Sequence, residues 1–93
     1  MQVDDLRPTL QRAIQLARQA GLADSATELE QRCNVVCTTS SEWLGEVGEA
    51  ILHFRSRDGK RIPAGVTELL DECLKEIGKV WPKYKPGAFG WFR

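Results

Sequence analysis

An all-α fold is what this 93-residue chain predicts: a compact four-helix array, most simply an up-down bundle, with an irregular aromatic C-terminal tail packed against it. Three observations carry that reading. Four successive stretches place apolar residues at alternating spacings of three and four, no stretch alternates with period two over a strand's length, and turn-forming residues fall between the stretches. The expected layout is one domain, with helices at about 5–20, 24–37, 41–57 and 63–81 and a Pro/Gly/aromatic basic tail at 82–93.

The first stripe is Val3, Leu6, Leu10, Ala13, Ala17 and Ala20. Asp4 or Asp5 can cap its start, Pro8 sits in the first turn where its missing N–H costs little, and Gly21 supplies a stop. The second stripe is Leu22, Ala26, Leu29, Cys33 and Val36, with Ser25 and Glu28 at capping-box spacing. So few residues separate the first two stretches that they are expected to form an antiparallel hairpin.

Thr38 to Ser41 is a polar break, and Thr39 with Glu42 offers a second capping box. The third stripe, Leu44, Val47, Ile51 and Phe54, ends before the turn dipeptide Asp58-Gly59. Gly45 and Gly48 interrupt this helix at a cost of up to about 1 kcal/mol each, which predicts close approach of another backbone. Pro63 suits the first position of the fourth helix, whose stripe is Val66, Leu70, Cys73, Ile77 and Val80, and Pro82 ends it.

With 42% hydrophobic and 28% charged residues, the composition is that of a soluble globular protein. Such a length buries roughly 60 to 65% of the surface of its unfolded chain, so a partner or a second copy would add useful core. No apolar run reaches bilayer length and no signal peptide is evident, so no membrane role is expected. Three cysteines, an odd number, fit a reducing compartment, and the expected address is the cytoplasm.

Thirteen basic residues balance thirteen acidic ones, but unevenly. All the acids lie in residues 1–77, while residues 78–93 carry Lys79, Lys83, Lys85 and Arg93. The last thirteen residues also hold five of the seven aromatics: Trp81, Tyr84, Phe89, Trp91 and Phe92. This strip either folds back onto an acidic helical body or offers itself to something else.

Little in the chain points to chemistry. Cys33, Cys37, Cys73 and His53 would make a tetrahedral zinc set, but Cys33 and Cys73 fall on apolar stripes where buried thiols are common, and no close-spaced cysteine pair is present. Glu42, Glu46, Glu49 and His53 form one ridge of the third helix; a di-iron bundle needs a histidine on each of two helices, and the chain has one. No nucleophile elbow, phosphate loop or dinucleotide fingerprint occurs, so neither an enzyme nor a cofactor is expected.

The segment Ala17-Arg-Gln-Ala-Gly21-Leu22 resembles the core of a helix-turn-helix. Beyond Leu22 the pattern fails, because Thr27 and Glu30 stand where that motif needs apolar residues, and Asp24, Glu28 and Glu30 would repel phosphate.

Two functional classes remain. The first is a small non-enzymatic protein acting through protein contact, adaptor-like or immunity/antitoxin-like, that binds another protein or itself as a homodimer; Glu42, Glu46, Glu49, Tyr84, Trp91 and Phe92 are its candidate partner-binding residues. The second is nucleic-acid binding through Arg55, Arg57, Lys60 and Arg61 at the third turn with Lys83 and Lys85 of the tail, whose aromatics would stack on bases.

Overall fold

The computed structural model describes residues 6–34 and 39–84. The proposed caps Asp4 and Asp5, Val36, Cys37, and the tail residues Lys85, Phe89, Trp91 and Phe92 lie outside them.

Four α-helices account for most of the described chain: α1 (Arg7–Gln19), α2 (Ala23–Cys33), α3 (Ser40–Asp58) and α4 (Ala64–Ile77). Short 3-10 turns follow at Gly59–Arg61 and Pro82–Tyr84, and no strand occurs among the described residues. Side by side, the helices form a ring: α1 packs against α4 and α2, α2 against α3, and a slighter contact between α3 and α4 closes it. The Cα radius of gyration, 12.5 Å, matches the roughly 12 Å of a compact chain this long.

The apolar stripes meet in one core with changes at their edges: Ala20 is exposed after the turn, Val80 is only partly buried, Val3 and Val36 lie outside the described residues, and Ile14 and Leu74, which the stripes left out, are buried. Leu10, Ala13, Ile14 and Ala17 of α1, Leu29 of α2, Val47, Ile51 and Phe54 of α3, and Val66, Leu70 and Ile77 of α4 are all buried in one core. The side-chain identity at these positions is thus what fixes the helix rotations, since each helix has one face it cannot leave in water.

Gly21 makes the turn between α1 and α2. With φ +88 it takes a left-handed conformation that other residues rarely adopt. The Leu22 N–H then donates to the Ala17 carbonyl (3.0 Å) and the Gly21 N–H to the Arg18 carbonyl (3.1 Å), the paired bonds of a Schellman ending. Leu22, buried after the turn, pins α2 to the core.

Several helix ends differ from the sequence reading. The Ser25–Glu28 capping box does not form, because burial of Leu22 draws the chain into helix at Ala23; Ser25 lies inside α2 and is itself buried. Pro63 is the residue before α4 rather than its first member, with extended ψ of 150. Regular helix in α4 ends at Ile77, although the Trp81 N–H still donates to the Ile77 carbonyl (2.8 Å), so the coil runs on to the residue just ahead of Pro82. Thr39 behaves as read: its hydroxyl accepts from the Glu42 N–H at 3.1 Å.

Polar side-chain contacts tie the ring from outside. Glu28 of α2 meets both His53 (2.7 Å) and Arg57 (3.2 Å) of α3, Arg18 of α1 meets Glu30 of α2 (2.8 Å), and Arg55 of α3 meets Asp71 of α4 (2.7 Å). Exposed pairs of this kind contribute about 0–1 kcal/mol each, so they set register more than stability. Trp43 adds a more specific tie: its Nε1 donates to the Cys33 carbonyl at the end of α2 (2.8 Å), while the Arg7 guanidinium lies 4.7 Å above its ring.

Candidate functional site

The four-three-four spacing of Glu42, Glu46, Glu49 and His53 keeps them on one ridge of α3, opposite its buried stripe. Glu42, Glu46 and Glu49 are exposed. On the flank toward α2, His53 and Arg57 reach across to Glu28. On the other flank, the chain after α4 folds back and covers the two glycines.

That return replaces the predicted backbone approach with aromatic rings. The Trp81 indole Nε1 donates to the Ser41 carbonyl at 2.8 Å, and the ring sits over Gly45, where an added Cβ would meet it at 3.5 Å, an ordinary contact. One turn further along, the face of Tyr84 lies on Gly48 so closely that a Cβ there would stand 3.0 Å from three ring atoms. Two glycines therefore make a notch in α3, and the start of the tail fills it. Only the Gly48 half of the notch depends on the missing Cβ, since the Trp81 ring would tolerate one at Gly45.

Tyr84 is only 3% exposed. Burial pushes its phenol up to about 12; a hydrogen bond to the Glu49 carboxylate, with the phenol as donor, and the negative charges of Glu49 and Glu46 add to the shift. The Lys83 ammonium lies 5.0 Å from the Tyr84 ring centroid. Trp81 keeps 38% of its surface in solvent and is the exposed large hydrophobic residue among those described.

The structure thus brings Glu46, Glu49, Lys83 and Tyr84 to one place, with Trp81 beside them. Tyr84 faces α3 rather than solvent, which makes it a support of this surface instead of a contact. Trp91, Phe92 and Lys85 lie outside the described residues.

The basic residues are not gathered into one patch. Arg55 and Arg57 are paired with Asp71 and Glu28, while Lys60 and Arg61 are exposed at the far end of α3. Lys83 is anchored beside Gly48, nine residues or about 14 Å of helix rise from Arg57. Trp81 and Tyr84 sit at the glycine notch, and the distance follows from that.

Neither described thiol is poised for chemistry. Cys33 and Cys73 are buried and unpaired, and burial pushes both up to about 12, with Arg32 lowering Cys33 slightly and the neighbouring Cys33 and Glu72 raising Cys73 further. Among the described residues no group of three or more His, Cys, Asp or Glu side chains could hold a metal ion. Among them, too, no helix is long and apolar enough to cross a membrane.

One feature escaped the sequence reading. A polar cleft opens where the end of α3 meets the start of α2, and Asp58, read only as a turn former, lies buried in its wall. A signal was present: an acid in the last turn of a helix opposes the helix dipole and needs compensation from elsewhere.

Searches against protein-family models, curated proteins and solved structures found no match to this chain.

Proposed function

We propose that this protein is a small non-enzymatic helical protein, adaptor-like or immunity/antitoxin-like, that acts by presenting the α3 ridge to another protein. The observation that carries the reading is Trp81. It is 38% exposed beside a run of carboxylates, and its ring is held in place by the hydrogen bond from its Nε1 to the Ser41 carbonyl. Tryptophan is among the residue types on which protein interfaces concentrate their binding energy.

Glu46 and Glu49 form no ion pair with a described cation, so the ridge keeps its negative charge for a basic partner surface. Glu42 is exposed one turn earlier on the same ridge. A second copy of the chain is a sub-case of this reading, with the basic tail of one copy against the ridge of the other. Nucleic-acid binding has less support, since two of its proposed guanidinium groups are already met by carboxylates.

The test is affinity capture from cells with the intact chain and with the triple variant E42K/E46K/E49K, alongside W81A. The expected result is a specific partner lost in both variants while their circular dichroism stays that of the parent. An unchanged set of captured proteins sinks the reading. Light scattering on the same samples distinguishes a homodimer, and salt-sensitive retention on heparin that K83E abolishes would move the assignment to nucleic acid.

A further inference from the structure

We propose that residues 78–84 form a latch that undocks from α3 as a unit, opening the seam between α3 and α4 while α1, α2 and the body of α4 stay folded. The grounds are where the array of helices is thin, what bridges that place, and what the bridge is made of.

The seam is the weakest joint in the array. α1 packs extensively on α4 and α2, and α2 on α3, whereas α3 and α4 meet only slightly. Toward the end of α3 the seam is tied by one part-exposed ion pair, Arg55 with Asp71 at 2.7 Å, of a kind that stabilises little in water. Toward its start the latch spans the seam: the Trp81 indole donates to the Ser41 carbonyl at 2.8 Å, and the Tyr84 ring lies on Gly48.

Among the described residues, no backbone bond holds the latch to α3. Regular helix ends at Ile77, and beyond it the N–H groups of Gly78, Lys79, Val80 and Trp81 donate back to carbonyls of Leu74, Glu76 and Ile77. The Tyr84 N–H donates to the Trp81 carbonyl at 2.9 Å, and Pro82 has no N–H to give. Undocking therefore breaks no backbone ladder. It gives up the indole bond, the phenol's bond to the Glu49 carboxylate and the ring contacts at Gly45 and Gly48. Against those losses it returns conformational freedom to the residues released. The two rings are joined by the single 3-10 turn Pro82–Tyr84, so they leave together.

Both rings that shape the surface beside Glu46 and Glu49 ride on this latch. Closed, it holds Trp81 next to the carboxylates and covers Gly48. Open, it withdraws Trp81, releases Glu49 from the phenol and leaves Gly45 and Gly48 as a bare strip of helix. The latch is thereby a switch for that surface. Only this consequence rests on the ridge being a binding surface; the opening itself does not.

The experiment is chemical-exchange saturation-transfer NMR on the full chain, read at the Gly45, Gly48 and Tyr84 amides and the Trp81 indole N–H. The expected result is one minor state, with a common rate and a population of about 0.5% at all these sites, and none in α1 or α2. In that state the Gly45 and Gly48 signals lose the displacement that nearby aromatic rings cause. In G48A the added Cβ meets Tyr84 at 3.0 Å in the closed latch, so the minor population should rise about tenfold, read at Gly45 and the indole. W81F removes the indole donor and should raise it about fivefold, and Trp81 is exposed enough for that variant to keep the fold. Absence of a minor state in both the parent and G48A, a minor state that extends through α1 and α2, or an unchanged population in G48A overturns the proposal. None of these outcomes bears on partner capture by the ridge, and loss of that capture with the minor state intact sinks the ridge reading alone.

Discussion

The two ends of α3 solve opposite problems. Toward its start, Gly45 and Gly48 leave a notch, and the chain fills it with its own Trp81 and Tyr84. At its finish, Asp58 brings a buried carboxylate beside the uncapped start of α2, and its partner among the described residues is the Arg61 guanidinium at 4.0 Å. Apolar shape is matched internally, whereas polar valence is left open. The comparison shows a small domain matching shape closely with its own rings at one end of a helix and meeting a buried charge only through a long ion pair at the other.

Removing the ring that fills the notch should have the largest effect. Y84A deletes a buried aromatic and opens a cavity over Gly48, for a loss of about 3 kcal/mol or more in urea unfolding. A loss under about 1 kcal/mol would mean that the ring only rests on α3, and the contrast between the two ends would weaken.

Next in size is a pair of substitutions of opposite sign. Alanine in place of either glycine gains up to about 1 kcal/mol of helix propensity. At Gly48 the new Cβ would lie 3.0 Å from a ring that is buried and cannot retreat, so overpacking of about 1–3 kcal/mol should prevail and G48A should destabilise. At Gly45 the contact is 3.5 Å with a half-exposed indole, so G45A should stabilise by up to about 1 kcal/mol. Thermal midpoints moving in the same direction for both would show that the notch does not discriminate between its two occupants.

The smallest effect is carried by pH. Because the Tyr84 phenol is raised from 10.0 to about 12 in the folded chain, its contribution is complete below pH 10 and is lost as pH climbs from 10 to 12. Glu49 is exposed, which screens the effect. Cys33 and Cys73, raised from 9.0 to about 12, weaken the fold from pH 9 upward in any variant that keeps them. Y84F should therefore follow the parent's decline from pH 9 and then fall less steeply between 10 and 12, as measured by denaturant midpoints across that range. Parallel curves would place the hydroxyl in water.

The four helices and their inward faces were legible because a stripe of Leu, Ile, Val and Phe at helical spacing has one physical outcome. Leu29, Ile51 and Leu70 are buried as that pattern demands. Helix starts were less legible: Ser25 offered a local cap, but the burial of Leu22 outweighed it. The glycines announced a close approach without naming what approaches, since a missing Cβ is equally an invitation to backbone or ring. The ridge of Glu42, Glu46 and Glu49 could be read from spacing, while the pairing of Arg55 and Arg57 with acids on neighbouring helices could not, because it depends on which helices lie adjacent. The Asp58 cleft joins residues more than thirty positions apart in sequence, and no local pattern encodes it.

The most extensive helix contact in the ring joins α1 to α4, the elements farthest apart along the chain. As the polypeptide leaves the ribosome, the greasy side of the first helix must therefore wait for the last one to emerge before it is covered. Synthesis thus passes through a sticky half-built hairpin, so the yield of this protein in a cell should depend on translation speed and chaperone supply as well as on the stability of the finished ring.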